Sequence, residues 1–188
     1  QKSTANTSQI YAMNKDEMYE FVLSEIKPLE TGGWQNYILG VVSEIEKNFK
    51  VNYRIDMQLA DTGAQNILSS SSVLLKELGQ VFDDLKPDVI VVLGDRYEIL
   101  PVVFTATILG IPVAHIHGGE VTEGAIDDSI RHAVTKMSHL HFTAADEYQK
   151  RVIQLGEQPN RVFNFGALGI ENIKTINLLS KSKLEKEI

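Results

Sequence analysis

Asp95, His115, His117, Glu120, Asp127, Asp128, Arg131 and His132 fall in one short stretch of the chain, with Arg96 beside the first of them. Carboxylates and imidazoles gathered this densely suit two chemistries. One is general acid–base work on a sugar or other polyol, in which these groups take and give protons. The other is a divalent metal site, because His115-Ile116-His117 with nearby Asp and Glu is a usable ligand set. The metal reading is the weaker, since the carboxylates suit proton transfer and no recognised metal-hydrolase signature accompanies them. There is no Gly-x-Gly-x-x-Gly and no Walker loop, so the common dinucleotide and triphosphate sites lack support.

The elements that position these residues are legible around them. Val89 to Leu93 runs into Gly94-Asp95-Arg96, and Ile111 to Ile116 runs into His117-Gly118-Gly119-Glu120. Short apolar, β-branched runs that end in Gly plus charge mark buried parallel strands at their carboxyl ends. In open α/β sheets, ligands bind in the crevice outside those ends. If the strand continues through both, His115 and His117 point to the same side. Gly118, Gly119 and Gly124 lack the Cβ that would keep a ligand from the backbone. Asp127 and Asp128 open the next helix, where the macrodipole favours anions, so they also have a purely structural explanation. Spacing puts Asp128 with His132, and Asp127 with Arg131, on shared faces of that helix. Asp95 has a structural alternative as the cap of the following helix, and Arg96 as the partner of Asp95 or Glu98. His139 and His141 read as structural or surface residues.

Strand and helix alternate through most of the chain. Val51, Tyr53, Ile55 and Met57 alternate with polar neighbours as in a half-buried strand. Ser69 to Ser72 offer caps for a helix whose face is Leu74, Leu75, Leu78, Val81, Phe82 and Leu85. Helices are expected over Val41–Asn48, Arg96–Leu109 and Ala144–Leu155, and another with Ile126, Ile130, Ala133, Val134 and Met137 on its face. Strands are expected over Leu140–Thr143 and Val162–Phe165. This is the pattern of right-handed βαβ units. Near the N-terminus, Met18, Phe21, Val22, Ile26 and Leu29 keep helical spacing while Tyr19, Phe21 and Leu23 alternate, and the period does not choose between them.

Composition narrows the function classes. The formal net charge of −7 over 188 residues argues against nucleic acid, whose phosphates demand a basic face. With no cysteine, disulfides and thiolate zinc sites are excluded. No apolar run is long enough for a membrane span, and the polar N-terminus lacks a signal-peptide core, so a cytoplasmic location is expected.

The ordered motifs Gly94-Asp95-Arg96-Tyr97-Glu98, His115-Ile116-His117-Gly118-Gly119-Glu120 and Asp127-Asp128-Ser129-Ile130-Arg131-His132 resemble the UDP-N-acetylglucosamine 2-epimerase family. Lys136 to His141 and Arg151 to Glu157 extend the likeness, which covers about Val41 to Asn172 and is nearest to the hydrolysing, sialic-acid-forming branch. The resemblance implies an α/β Rossmann-like parallel sheet flanked by helices, the N-terminal half of a GT-B-type fold. Residues 1–40 then form an unassigned N-terminal segment, 41–175 the domain, and 176–188 a charged tail or linker. It implies that UDP leaves C1 while a base removes the C2 proton, and that water then adds to release N-acetylmannosamine. Asp95, His117 and Asp127 would be catalytic. Arg96, His115, Gly118, Gly119, Glu120, Asp128, Arg131 and His132 would contact or support the UDP-sugar. No cofactor and no metal are expected, and self-association is.

Three departures stand beside the resemblance. Many relatives carry glutamate at the position of His117, although other hydrolysing members share the histidine. No opening strand with a Gly-Thr-Arg-Ala-Asp-type loop is found before Gly40, and loss of a central strand would leave sheet edges unpaired. A UDP-binding second domain is expected but lacking before Ile188, which suggests an incomplete enzyme. Two rival readings follow: a non-catalytic remnant or assembly module, and a metal-dependent hydrolase using His115 and His117.

Overall fold

The computed structural model describes residues 9–13, 18–22, 51–58, 63–124, 126–167 and 170. The expected helix over Val41–Asn48 and the tail from Ser180 lie outside these. The strands are β1 (Gln9–Met13), β2 (Met18–Val22), β3 (Val51–Arg54), β4 (Val89–Leu93), β5 (Val113–Ile116), β6 (Leu140–Thr143) and β7 (Val162–Asn164). The helices are α1 (Ala64–Leu85), α2 (Ile99–Ile108), α3 (Ile126–Met137) and α4 (Asp146–Gln154), with a 3₁₀ turn at Pro159–Arg161. One seven-stranded sheet has the order β3-β2-β1-β4-β5-β6-β7.

Strands β4 to β7 are mutually parallel and linked through helices, as βαβ units require. The ambiguous N-terminal segment contributes strands. β1 and β2 form an antiparallel pair, and β1 lies antiparallel on β4, with Tyr11 opposite Val91. The β4 edge that a missing central strand would expose is therefore covered, by backbone running the opposite way.

The core joins α1, β4, α2, β5 and α3 through Leu74, Leu78, Phe82, Ile90, Val92, Val102, Val103, Val113 and Val134. Helix α1 begins earlier than its serines suggest. Gly63 precedes it in extended backbone, and Ser69 to Ser72 lie inside it rather than at its cap. The reason is local: Ser71 Oγ donates to the Ile67 carbonyl one turn earlier at 2.7 Å, which accommodates the hydroxyl within the helix. Leu75 is exposed. Helix α2, by contrast, starts late, at Ile99, leaving Asp95 and Arg96 in the loop before it. In α3 the buried residues are Arg131, Val134 and Thr135, while Ile126 is exposed, so the buried face is rotated from the expected one and is partly polar.

Candidate active site

The parallel strands bring two loops to one edge of the sheet. The Gly94 amide donates to the Ile116 carbonyl at 3.0 Å, so the chains following β4 and β5 leave the sheet side by side. Asp95 begins one loop and His117 the other. α3 returns over them, which is how residues distant in sequence meet.

Asp95 does not cap α2, whose N-cap has no side-chain hydrogen bond. Its Oδ2 instead accepts from Arg131 Nη2 and, at 3.3 Å, from the Thr122 hydroxyl. The same Arg131 Nη2 donates to Thr122 Oγ1 at 2.8 Å. The Thr122 amide donates to Asp128 Oδ1 at 3.1 Å, and Asp128 Oδ2 stands 3.7 Å from His132 Nε2. Arg131 is buried, with Asp128 Oδ1 4.0 Å from its Nη1 on the same helix, so one guanidinium ties the Asp95 loop and the Thr122 loop to α3. Asp127 is half-buried in the first turn of α3.

Arg96 pairs with Glu98 and not with Asp95, its Nε donating to Oε1 at 3.1 Å. Glu98 is 1% exposed, and its second oxygen has no partner among the described residues. Burial pushes its carboxyl up from the ordinary range, against the pull of Arg96, and the charge of Asp127 adds to the rise.

His115 and His117 part company. β5 ends at Ile116, and His117 takes left-handed backbone at φ 66°, so the alternation that would put both rings on one side breaks. His117 Nδ1 lies 2.5 Å from Glu120 Oε1. His115 is wholly enclosed: Nε2 meets the Gly94 carbonyl at 2.7 Å and Nδ1 meets Thr135 Oγ1 at 3.2 Å. Burial lowers its pKa to about 4, against the opposing bond to Gly94. His115 is thus a neutral strut for the loop that carries Asp95, which corrects its place among ligand-contacting residues. Both its ring nitrogens are engaged within the protein, so neither is left to join His117 on a metal. Among the described residues no three His, Asp or Glu gather as a metal set.

The paired glycines require a second correction. A Cβ on Gly119, at φ 80°, would run into the Tyr148 carbonyl and lie 2.9 Å from Val152 Cγ2. A Cβ on Gly118 would lie 3.1 Å from the His115 ring. Both are buried, so their missing side chains admit α4 and the His115 ring rather than a ligand. Arg151 Nη1 donates to the Gly119 carbonyl and fixes that loop to α4. His139 and His141 are structural: the Val113 amide donates to His139 Nδ1 at 3.3 Å, and buried His141 stands 3.2 Å from Glu157, which also binds Lys136.

Beside His117 opens an apolar cavity of about 210 Å3, lined also by Ile116, Phe142, Thr143, Ala144, Phe165 and Gly166. Phe142, Phe163 and Phe165 cluster there with ring centroids 5.6 to 6.2 Å apart. Thr122 and Thr135 are the contributors the sequence reading passes over. Arg131, Thr135 and Ser138 recur at i, i+4 and i+7, a polar stripe that could have flagged a buried hydrogen-bonding face.

Comparison with known proteins gives the family. The chain is 48% identical over 145 residues to a GDP/UDP-N,N'-diacetylbacillosamine 2-epimerase (hydrolyzing) of Campylobacter jejuni, covering 77% of this chain and 38% of that protein. It is 47% identical over 140 residues to a polysialic acid biosynthesis protein of Escherichia coli, covering 74% of this chain and 36% of that one. The chain therefore spans less than two fifths of the length of these relatives. The fold matches the crystal structure of UDP-GlcNAc 2-epimerase from Neisseria meningitidis bound to UDP-GlcNAc with a TM-score of 0.63 at 20% identity, covering 81% of this chain and 41% of that one. The family model described as UDP-N-acetylglucosamine 2-epimerase matches residues 30–188, and with the motifs above this places the chain in the UDP-N-acetylglucosamine 2-epimerase family.

Proposed function

We propose that this chain supplies the acid–base half of a hydrolysing 2-epimerase acting on a UDP-linked 2-acetamido sugar. The observation that carries the reading is the convergence at one sheet edge of a held carboxylate, Asp95 under Arg131 and Thr122, with the His117–Glu120 pair. The reaction needs a base for a weakly acidic C–H proton and a second group for the charge that develops on the leaving diphosphate. Asp95, His117 and Asp127 carry the proton transfers in this reading. Arg96, Arg131, His132, Asp128 and Glu120 hold the ligand or those three groups, while His115, Gly118 and Gly119 hold the loops. Because the relatives are much longer than this chain, further uridine and phosphate contacts belong to a second domain, and the working enzyme self-associates. No helix among the described residues is long and apolar enough to cross a membrane, in keeping with a cytoplasmic enzyme.

The test is incubation of the chain joined to its second domain with UDP-N-acetylglucosamine, followed by NMR beside an Asp95→Asn control of verified fold. UDP and N-acetylmannosamine formed by the unmutated chain alone are the expected result. No turnover by either folded protein would favour the non-catalytic remnant.

A further inference from the structure

We propose that Glu120 is the positioning residue of His117, and that the two act as one carboxylate–imidazole base whose Nε2 takes the C2 proton of the sugar. The proposal rests on the 2-epimerase reading above and assigns within it the step that motif matching leaves open.

The proton acceptors at this edge differ in how they are held: among the described residues nothing bonds to Asp127 or to Asp95 Oδ1, so of the groups with a free lone pair His117 is the one whose ring is oriented by a partner. Asp95 Oδ2 already receives Arg131 and Thr122, and Asp128 Oδ1 the Thr122 amide. His117 Nδ1 is taken by Glu120, but no residue of the described set bonds to Nε2. In a neutral ring, a carboxylate 2.5 Å from Nδ1 holds the hydrogen there and leaves the lone pair on Nε2. The same carboxylate stabilises the imidazolium formed when Nε2 takes a proton.

The backbone supports the same assignment. A non-glycine residue at φ 66° is uncommon and needs its surroundings to hold it. The His117 amide donates to the Phe142 carbonyl at 2.8 Å, tying the strained residue to β6, while Glu120 ties down its ring. The result is a residue fixed at its backbone and at Nδ1 beside the apolar cavity, in contact with solvent but largely shielded from it, with 23% of the side chain exposed. A base beside an apolar wall meets less competing water, which favours transfer from carbon.

The step balances. The C2–H bond breaks and its proton passes to Nε2. The freed pair forms the C1–C2 double bond as the C1–O bond breaks, its electrons leaving on the diphosphate oxygen. Water then adds its hydroxyl to C1 and its proton to C2, and the imidazolium gives its proton to solvent.

Two measurements on the full chain test this. Nitrogen-15 spectra of the histidine rings at neutral to alkaline pH read the tautomer of His117, and turnover of UDP-N-acetylglucosamine reads catalysis. His117 should hold its hydrogen on Nδ1 in the unmutated protein and in Glu120→Gln, whose amide oxygen still accepts. In Glu120→Ala the hydrogen should spread over both nitrogens. Both variants should lose about 10²-fold in kcat with little change in KM, the scale of one well-placed acid–base group, and Glu120→Asp should recover part of it. An active chain in which Glu120→Ala changes neither tautomer nor kcat overturns this proposal and spares the epimerase reading. If the chain joined to its second domain releases no UDP, yet its His117 tautomer follows Glu120, the epimerase reading is overturned and the positioning role is kept.

Discussion

The interior beneath the end of β5 and the rim above it are built from the same residue types. Below, His115 binds Thr135 and the Gly94 carbonyl, with His141 opposite it on β6 and all three side chains buried. Above, His117 binds Glu120, and Asp95 binds Arg131 and Thr122, all beside open space. Burial decides the difference. Two adjacent enclosed imidazoles cannot both charge, and each lowers its own protonation by desolvation. Such groups hold loops, whereas the rim groups keep lone pairs and solvent contact that reactions need. If the division is real, interior substitutions unfold the protein and rim substitutions silence it.

The largest effect is expected from Gly119→Ala. Left-handed backbone adds about 1–2 kcal/mol and overpacking against Tyr148 and Val152 about 1–3 kcal/mol, so denaturant unfolding should show a loss of about 4 kcal/mol. Gly124, at φ 77° but with nothing within 4 Å of its virtual Cβ, should lose only the backbone share of about 1 kcal/mol on the same change. Equal losses at the two positions would show that α4 does not press on Gly119.

His115 gives the next effect, through pH. Its folded pKa of about 4 lies below the ordinary histidine value of 6.5, so the unfolded chain binds the extra proton. The stability held in its neutral form is complete above pH 6.5 and is lost as pH falls toward 4. That amounts to about 3 kcal/mol at 1.36 kcal/mol per pKa unit. His115→Gln should flatten this part of the pH–stability curve while lowering stability at pH 7. A wild-type curve and a variant curve of equal slope would place the imidazole in water.

Asp95 straddles the two regions and tests the boundary. Asp95→Asn keeps the shape but leaves the buried Arg131 charge without its carboxylate, a loss of about 2 kcal/mol on the scale of charged hydrogen bonds. Thermal unfolding checks this, and it must be done before any loss of turnover is read as chemistry.

The sequence made some of this division legible. β4 and β6 have the bounds that their apolar runs suggest, because turn-forming or polar residues stop each run. The convergence of Asp95 with the acidic start of α3 follows from strand order, but helix spacing pairs Arg131 with Asp127, whereas the structure sets it against Asp95 and Asp128. The split between His115 and His117 does not follow from strand order, because it depends on one residue leaving the strand at positive φ. Nor does the use of Gly119, whose crowding partner is Tyr148 in a helix formed far along the chain. The start of α1 is not legible for a different reason: serine favours caps on average, but here one hydroxyl folds back on its own helix.

The smallest effect sharpens the outer limit of the rim. Asp128 and His132 form an i,i+4 pair at 3.7 Å, with each side chain over a third exposed. Water and salt screen such a pair, and holding two side chains together opposes the attraction, so a double-mutant cycle should give a coupling of about 0.5 kcal/mol or less. Coupling should shrink further in 1 M salt, where the screening length is about 3 Å. Asp128 has a second duty, since it accepts the Thr122 amide in the loop that also touches Asp95. Asp128→Ala alone should therefore lose more stability than His132→Ala alone. If the two single changes cost the same, the Thr122 bond contributes nothing, and the link between α3 and the Asp95 loop rests on Arg131 by itself.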